Sequence, residues 1–250
     1  MTVVRALMDQ LPGYDLVYFG DTARMPYGTK SSDTVIECAL ENTQFLLGLG
    51  AKLVVMACNT VSSVATDAVS AKFDVPLFEV ISPAVAMAVK ASRNQQIGVI
   101  GTRATIGSGI YEKKIKELNS SANVYSIPCP LLVSLVEEGW RKKPETAMIV
   151  KKYLHPLKVR QIDTLILGCT HYPLLKETIH RKIGKRVTII DSSIGVASRV
   201  KAFLDNHSDL DAELGKNGKS RIFVSDVTEQ FQRTAQMTLK QRVSLERVRQ

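Results

Sequence analysis

The segments KLVVMACNT at residues 52–60 and DTLILGCTH at residues 163–171 have the same plan. Each is an apolar run that ends in a small residue and a cysteine, followed by side chains that carry hydroxyl, amide or imidazole groups. The two cysteines, Cys58 and Cys169, are separated by a little less than half of the 250-residue chain. Such a repeat indicates two similar units, each with a strand that ends at a cysteine.

Short runs rich in Val, Ile and Leu alternate with helical patterns along the chain. The helical patterns include residues 1–11 and 33–47, the latter with Ser32 or Asp33 as its expected cap. Runs that are apolar on both faces are typical of buried parallel strands. The strand-like runs are Leu16–Phe19, Leu53–Ala57, Val75–Val80, Ile97–Gly101, Val124–Ile127, Thr164–Gly168, Val187–Ile190 and Arg221–Val224.

This alternation predicts an α/β protein with parallel sheets, and the repeat favours two pseudo-symmetric α/β domains over a single barrel. We expect a discontinuous first domain, residues 1–82 plus 192–250, and a second domain at residues 83–191. Ligands bind at the carboxyl ends of parallel strands, where both cysteines are expected. The active site is therefore predicted in the cleft between the two domains.

Two thiols that face each other across a cleft suit acid–base chemistry at a carbon atom. One thiolate removes a proton and the opposite thiol donates one, so a stereocentre is inverted. Helices that begin just after Cys58 and Cys169 would favour their thiolates. A redox pair would need the sulfurs in contact, and a metal would need more ligands than His171 adds, so we expect no metal. Cys38 and Cys129 are interpreted as structural.

Polar residues that follow the two cysteines are candidates for holding a small charged substrate. His171 is also placed to tune the charge of Cys169. Backbone amides at Tyr27 and Gly28, in the loop GDTARMPYGTKS at residues 20–31, are a further candidate anion site. No phosphate-loop spacing occurs in the sequence. The remaining candidates are Asn59, Thr60 and Thr170.

Composition excludes several other classes of protein. Lys and Arg outnumber Asp and Glu by 33 to 24, a net charge of +9, but the positive charges are spread and only 6% of residues are aromatic, so nucleic-acid binding is not expected. No apolar run reaches the ~18 residues of a membrane span. Four cysteines without a CxxC pair, and no signal peptide at residues 1–11, indicate a reduced, cytoplasmic protein.

Five segments together resemble the glutamate racemases. They are GDTARMPYGTKS (20–31), ACNTVSS (57–63), VIGTRATIGSGIYEKKI (99–115), PCPLLVSLVEEG (128–139) and DTLILGCTHYPLL (163–175). The matches follow the order of the family from about residue 14 to 205. The two cysteine motifs combined with the Pro-Tyr-Gly of the first segment are highly specific, whereas any one of them alone is a weak signal.

The resemblance implies a homodimeric isomerase that needs no pyridoxal phosphate and no metal and that makes D-glutamate for peptidoglycan. Cys58 and Cys169 would be the two catalytic bases, with His171 assisting Cys169. Asp21 and Glu137 fall at positions that support catalysis, and Thr102 and Thr105 are further possible contacts. The substrate would be bound by Tyr27, Gly28, Asn59, Thr60, Thr170 and His171.

The sequence departs from the family in one respect: an Asp-Ser-Gly-x-Gly-Gly strand is expected immediately before Met1. We therefore expect a chain that lacks one strand, with two neighbouring strands unpaired along one edge. Comparing the activity of this chain with that of an upstream-extended one tests this. The alternatives are a racemase of another substrate such as aspartate or hydantoin, a related decarboxylase or isomerase, and a truncated, non-catalytic protein that binds another protein or nucleic acid.

Overall fold

The computed structural model describes residues 1–248, which form parallel β-sheets covered by helices. The strands are β1 (Leu16–Gly20), β2 (Val54–Met56), β3 (Leu77–Glu79), β4 (Gln96–Gly101), β5 (Asn123–Pro128), β6 (Thr164–Gly168), β7 (Thr188–Asp191), β8 (Ser220–Val224) and β9 (Leu245–Arg247). The helices are α1 (Thr2–Gln10), α2 (Ser32–Gly48), α3 (Asn59–Val64), α4 (Thr66–Lys72), α5 (Ile81–Ala91), α6 (Arg103–Gly107), α7 (Ile110–Leu118), α8 (Leu131–Glu137), α9 (Pro144–Val159), α10 (Lys176–Ile183), α11 (Ser192–Asp205), α12 (Ser208–Glu213) and α13 (Glu229–Leu239).

All paired strands are parallel, so the predicted α/β class is confirmed. A four-stranded sheet has the order β5-β4-β6-β7, and smaller sheets have the orders β1-β8-β9 and β2-β3. Every residue of β6 is buried, as its unbroken apolar run predicts for a central strand. The segment after residue 220 joins the first strand through the β1–β8 pairing, as expected. The domain boundaries at residues 82/83 and 191/192 stay a prediction.

Two local features differ from the sequence-based expectation. Helix α2 is capped by Ser31, whose side chain accepts a hydrogen bond from the Thr34 amide, and not by Ser32 or Asp33. Strand β3 is shorter than the apolar run 75–80, which contains Pro76, and proline has no N–H to donate to a sheet. Helix α1 begins at Thr2, as predicted.

The largest apolar core joins the sheets through helices α5 and α11. Ile97 and Ile166 of the four-stranded sheet pack there with Val85 of α5 and Val200 of α11. This core holds β4 and β6 in a fixed position relative to β2 and β3, because Phe78 of β3 belongs to the same cluster. None of the helices within residues 1–248 is long and apolar enough to cross a membrane.

Strands β1 and β2 each have one free edge. Among the described residues, β1 pairs only with β8 and β2 pairs only with β3. Both strands line the same cavity, through residues 17–20 and 54–56.

Candidate active site

A cavity of about 440 Å³ lies where β1, β2 and β6 end. Side chains from the loop after β1, from α3, from the segment after β6 and from α13 line it. The structure brings the predicted catalytic and substrate-binding residues to this one cavity, although those residues come from three distant parts of the chain. They are Tyr27, Gly28, Cys58, Asn59, Thr60, Cys169, Thr170 and His171.

Cys58 lies directly after β2, at the N-cap position of α3, in extended backbone geometry. Burial raises the pKa of its thiol, and the neighbouring Cys169 raises it further. Hydrogen bonds from the backbone amides of Val61 and Thr60, at the start of α3, act in the opposite direction but do not cancel the effect of burial. At neutral pH Cys58 is therefore a protonated thiol, which is the form that can donate a proton.

Cys169 is the first residue after β6, but it is not followed directly by an α-helix. A short 3₁₀ turn, Tyr172–Leu175, comes first, and α10 begins only at Lys176. The predicted helix dipole at Cys169 is therefore wrong, because residues 169–175 do not form a regular helix. Pro173, whose nitrogen carries no hydrogen, lies within the turn.

A histidine supplies the positive charge at Cys169 instead. The Sγ of Cys169 lies 3.7 Å from Nδ1 of His171, and Nε2 of His171 lies 3.4 Å from Oε1 of Glu137 in α8. Burial alone lowers the pKa of His171, but its interactions with Cys169 and Glu137 outweigh burial and raise the pKa to about 9. At neutral pH the structure thus has an imidazolium between a sulfur and a carboxylate.

A direct hydrogen bond links the segments that carry the two cysteines. The hydroxyl of Thr170 donates to the carbonyl of Ala57 at 3.2 Å, so the residue after Cys169 is held against the residue before Cys58. The carbonyl of Thr170 accepts from the Thr2 hydroxyl of α1 at 2.8 Å. These contacts fix the separation of the two cysteine-bearing strand ends.

Three threonine hydroxyls form a second link across the cleft. Thr60 Oγ1 of α3 lies 3.0 Å from Thr102 Oγ1 and 3.2 Å from Thr105 Oγ1, and the latter two hydroxyls are 3.0 Å apart. Thr60 and Thr102 line the cavity, while Thr105 lies behind them and is buried. Each hydroxyl in the cluster can donate or accept, so the cluster can adapt its polarity to a ligand.

The loop after β1 is organised around the buried carboxylate of Asp21. Its Oδ1 accepts from the Ser225 hydroxyl at 3.0 Å, and its Oδ2 accepts from Arg24 Nε at 2.6 Å and from the Tyr27 hydroxyl. The hydroxyl of Tyr27 is therefore engaged within the protein, which leaves the backbone of Tyr27 and Gly28 for a ligand. Gly28 packs so closely on Thr102 that a Cβ there would lie 2.7 Å from the threonine Cβ.

The other two cysteines are structural, as predicted. Cys38 is buried in α2 within the apolar cluster that includes Val35 and Met56. Cys129 is fully buried in the core beside Leu132. All four cysteines are free thiols, and no group of three or more His, Cys, Asp or Glu side chains within residues 1–248 is arranged to hold a metal ion.

Residues 2–197 match the family model described as Asp/Glu/Hydantoin racemase. The chain belongs to this family. A glutamate racemase of Persephonella marina is 43% identical over 99% of this chain and 92% of its own length. Two solved structures cover 99% of this chain and 92% of their own chains: the glutamate racemase isoform RacE1 of Bacillus anthracis, with TM-score 0.92 and 35% identity, and that of Francisella tularensis in complex with D-glutamate, with TM-score 0.91 and 36% identity.

This membership confirms the resemblance on which the sequence-based expectations rest. The roles of the individual site residues stay predictions, because family membership by itself does not assign them. One residue near the site has no sequence signal that marks it as functional: Tyr111 of α7 appears in the sequence only as part of the apolar face of a helix, yet its hydroxyl bonds to Asn59.

Proposed function

We infer that this chain interconverts L-glutamate and D-glutamate and so supplies D-glutamate for peptidoglycan. The observation that carries this inference is the presence of Cys58 and Cys169 at the ends of equivalent strands, both in the wall of one cavity. The glutamate racemases that match nearly the whole chain support the same substrate.

The chemistry that we propose is a two-base proton transfer at Cα. In one direction the thiolate of Cys169 removes the α-proton, forming an S–H bond while the electron pair of the broken C–H bond is delocalised toward the substrate carboxylate. The thiol of Cys58 then gives its proton to the opposite face of Cα and becomes the thiolate. The reverse direction exchanges the roles of the two sulfurs, so no redox change occurs.

The electrostatics of the two cysteines support this assignment for the resting enzyme. The pKa of Cys58 is raised by burial, which keeps it protonated and ready to act as the acid. The sulfur of Cys169 instead has the imidazolium of His171 beside it, with Nδ1 at 3.7 Å. Glu137 holds the other ring nitrogen of His171 and fixes the orientation of the ring.

Substrate binding is assigned to the polar groups around the two thiols. We propose that the side chains of Asn59, Thr60 and Thr170 and the backbone amides at Tyr27 and Gly28 hold the charged groups of glutamate. Support comes from their common position on the cavity wall. A substrate with two carboxylates also agrees with the net charge of +9, although a solvated surface explains most of that charge.

The test is exchange of the α-proton in D₂O. The purified 250-residue chain is incubated with L-glutamate, and in parallel with D-glutamate, while ¹H NMR follows the Cα–H signal and circular dichroism follows the enantiomer ratio. We expect loss of the Cα–H signal and convergence to an equal mixture from either side. Parallel reactions with L- and D-aspartate separate the two amino-acid substrates.

Each outcome of this test has a clear meaning. Faster exchange of aspartate than of glutamate would replace the proposed substrate with the smaller one. No exchange of either amino acid would contradict a racemase and favour a binding protein. The homodimer and the cytoplasmic location expected from the sequence are further proposals, and light scattering on the eluted protein checks the first of them.

A further inference from the structure

Tyr111 is a buried tyrosine of α7 whose hydroxyl contacts a residue of the cavity wall. Its side chain is 2% exposed and packs in the large apolar core with Val99, Ile115 and Ile166. Its hydroxyl donates a hydrogen bond of 2.6 Å to Oδ1 of Asn59. The bond joins α7, which lies between β4 and β5 of the four-stranded sheet, to α3, which follows β2, so it links the two sides of the cavity.

Asn59 is 2% exposed and lines the cavity. Its Oδ1 is occupied by Tyr111, and its Nδ2 is buried with no hydrogen-bond partner. A buried N–H group without a partner is costly, and in native proteins such a group usually has a functional explanation. An anionic oxygen in the cavity would supply the missing acceptor.

We propose that Tyr111 is a positioning residue: its hydroxyl fixes the side-chain amide of Asn59 so that Nδ2 is held ready for a carboxylate of the substrate. This inference rests on the proposed function, which supplies the carboxylate. Tyr111 itself does not touch the substrate and acts only through Asn59.

The two ends of the Asn59 amide differ, because Oδ1 only accepts hydrogen bonds and Nδ2 only donates them. With Oδ1 held by a donor, the end that is left for the ligand is a donor and attracts a carboxylate. If the amide turned over, the oxygen would face the ligand and repel it. Burial raises the pKa of the Tyr111 hydroxyl well above its usual range, so the group is protonated and able to donate at neutral pH.

The neighbouring threonine cluster also links α3 to the segment after β4, through Thr60, the residue after Asn59. Thr60 contacts Thr102 and Thr105, so both Asn59 and Thr60 are held from the side of the cavity that carries β4. Because Asn59 and Thr60 are fixed by partners outside their own helix, their orientation depends on the two parts of the molecule being together. Tyr111 is the partner that fixes the polarity of Asn59.

The experiment compares Tyr111→Phe with Tyr125→Phe. Tyr125 is a matched control because its hydroxyl also donates to a side-chain amide oxygen, Oε1 of Gln96, at 2.9 Å, but Tyr125 does not line the cavity. For Tyr111→Phe we expect KM and the Kd for D-glutamate, measured by calorimetry, to rise about 10-fold, with kcat changed less than about threefold. Tyr125→Phe should leave Kd and KM unchanged.

A cycle with Asn59→Ala separates positioning from a purely structural effect. In the Asn59→Ala background, Tyr111→Phe should add less than about a twofold change in Kd, because the group that it orients is gone. An equal loss of affinity in both backgrounds, or wild-type Kd in Tyr111→Phe, would overturn the proposal. If the wild-type chain binds and racemises no glutamate, the proposed function fails, and with it the substrate named here.

Discussion

The two cysteine-bearing regions share a strand and a cysteine but differ in the structure on the C-terminal side of that cysteine. Cys58 is the N-cap residue of α3 and receives backbone amide hydrogen bonds from the start of that helix. Cys169 is followed by a 3₁₀ turn. Its sulfur contacts one ring nitrogen of His171, and the other ring nitrogen contacts the carboxylate of Glu137. The backbone repeat is therefore symmetric at the strand ends, whereas the groups that control the proton on each sulfur are not.

This difference gives the two sulfurs of the proposed two-base site unlike surroundings. Proton transfer needs one thiolate and one thiol at the same time, and two identical environments would give neither sulfur a preference. Burial keeps Cys58 protonated, whereas Cys169 has the imidazolium of His171 beside it. The asymmetry around the repeat is thus what the proposed mechanism requires.

The largest expected effect comes from removing either sulfur. Cys58→Ala and Cys169→Ala should each lower the racemisation rate by at least about 10³-fold, since a proton donor or acceptor in the reaction is lost. The rate of conversion from each enantiomer, followed by circular dichroism, measures this. Cys38→Ala is the control: it removes a buried thiol from the α2 core, so it should lower stability but not the rate per folded molecule. A Cys58→Ala or Cys169→Ala variant that keeps more than a tenth of the wild-type rate would contradict the two-base mechanism.

A smaller effect is expected when the positive charge behind Cys169 is weakened. Glu137→Gln keeps the shape of the side chain but removes its charge, so the pKa of His171 should fall from about 9 toward 6.5. Wild-type His171 is charged below about pH 9, and the stability that this charge adds is complete below pH 6.5 and is lost as the pH rises through 9. In Glu137→Gln, the stability that the charge on His171 adds should be lost at a lower pH than in the wild type. At pH 8 we expect about a 10-fold lower rate.

NMR titration of the His171 ring and the pH–rate profile check this prediction together. Glu145→Gln is the control, because Glu145 is exposed in the first turn of α9 and should leave both curves unchanged. The idea that His171 is held in its charged form by Glu137 is wrong if the ring titrates at the same pH in Glu137→Gln and wild type.

The strands and the position of the cavity could be predicted because each depends on local pattern. Apolar runs mark buried strands, and a cysteine at the end of each repeated run marks the ligand-binding edge of a parallel sheet. Strand β9 has no such signal, since Leu245–Arg247 contains two charged residues and pairs with β8 at the sheet edge. Its formation depends on a distant partner and not on its own sequence.

The finer electrostatics of the site could not be read from the sequence. Analogy with Cys58 predicts helical structure after Cys169, but the 3₁₀ turn through Pro173 replaces the first turn of a helix. The contact between His171 and Glu137 joins residues of α8 and the segment after β6, which only the fold brings together. The same holds for Tyr111 and Asn59, which are far apart in sequence.

The smallest effect is expected from loosening the link between the two cysteine segments. Thr170→Val keeps the shape of the side chain but removes the hydroxyl that donates to the Ala57 carbonyl. We expect a loss of about 1 kcal/mol in the free energy of unfolding and about a threefold lower kcat/KM, because the two strand ends then vary more in separation. Urea unfolding and steady-state racemisation measure the two quantities.

Thr66→Val is the control that separates a loss of stability from a loss of kcat/KM. The Thr66 hydroxyl donates to the Ser62 carbonyl at 2.8 Å, but donor and acceptor both lie on the same side of the cleft, at the α3–α4 junction. This variant should therefore lose a similar hydrogen bond without changing kcat/KM. If both variants lower kcat/KM equally, the effect reflects general stability, and the contact between Thr170 and Ala57 does not set the separation of the sulfurs. If only Thr170→Val does so, the Thr170 hydroxyl contributes to the site beyond its effect on stability.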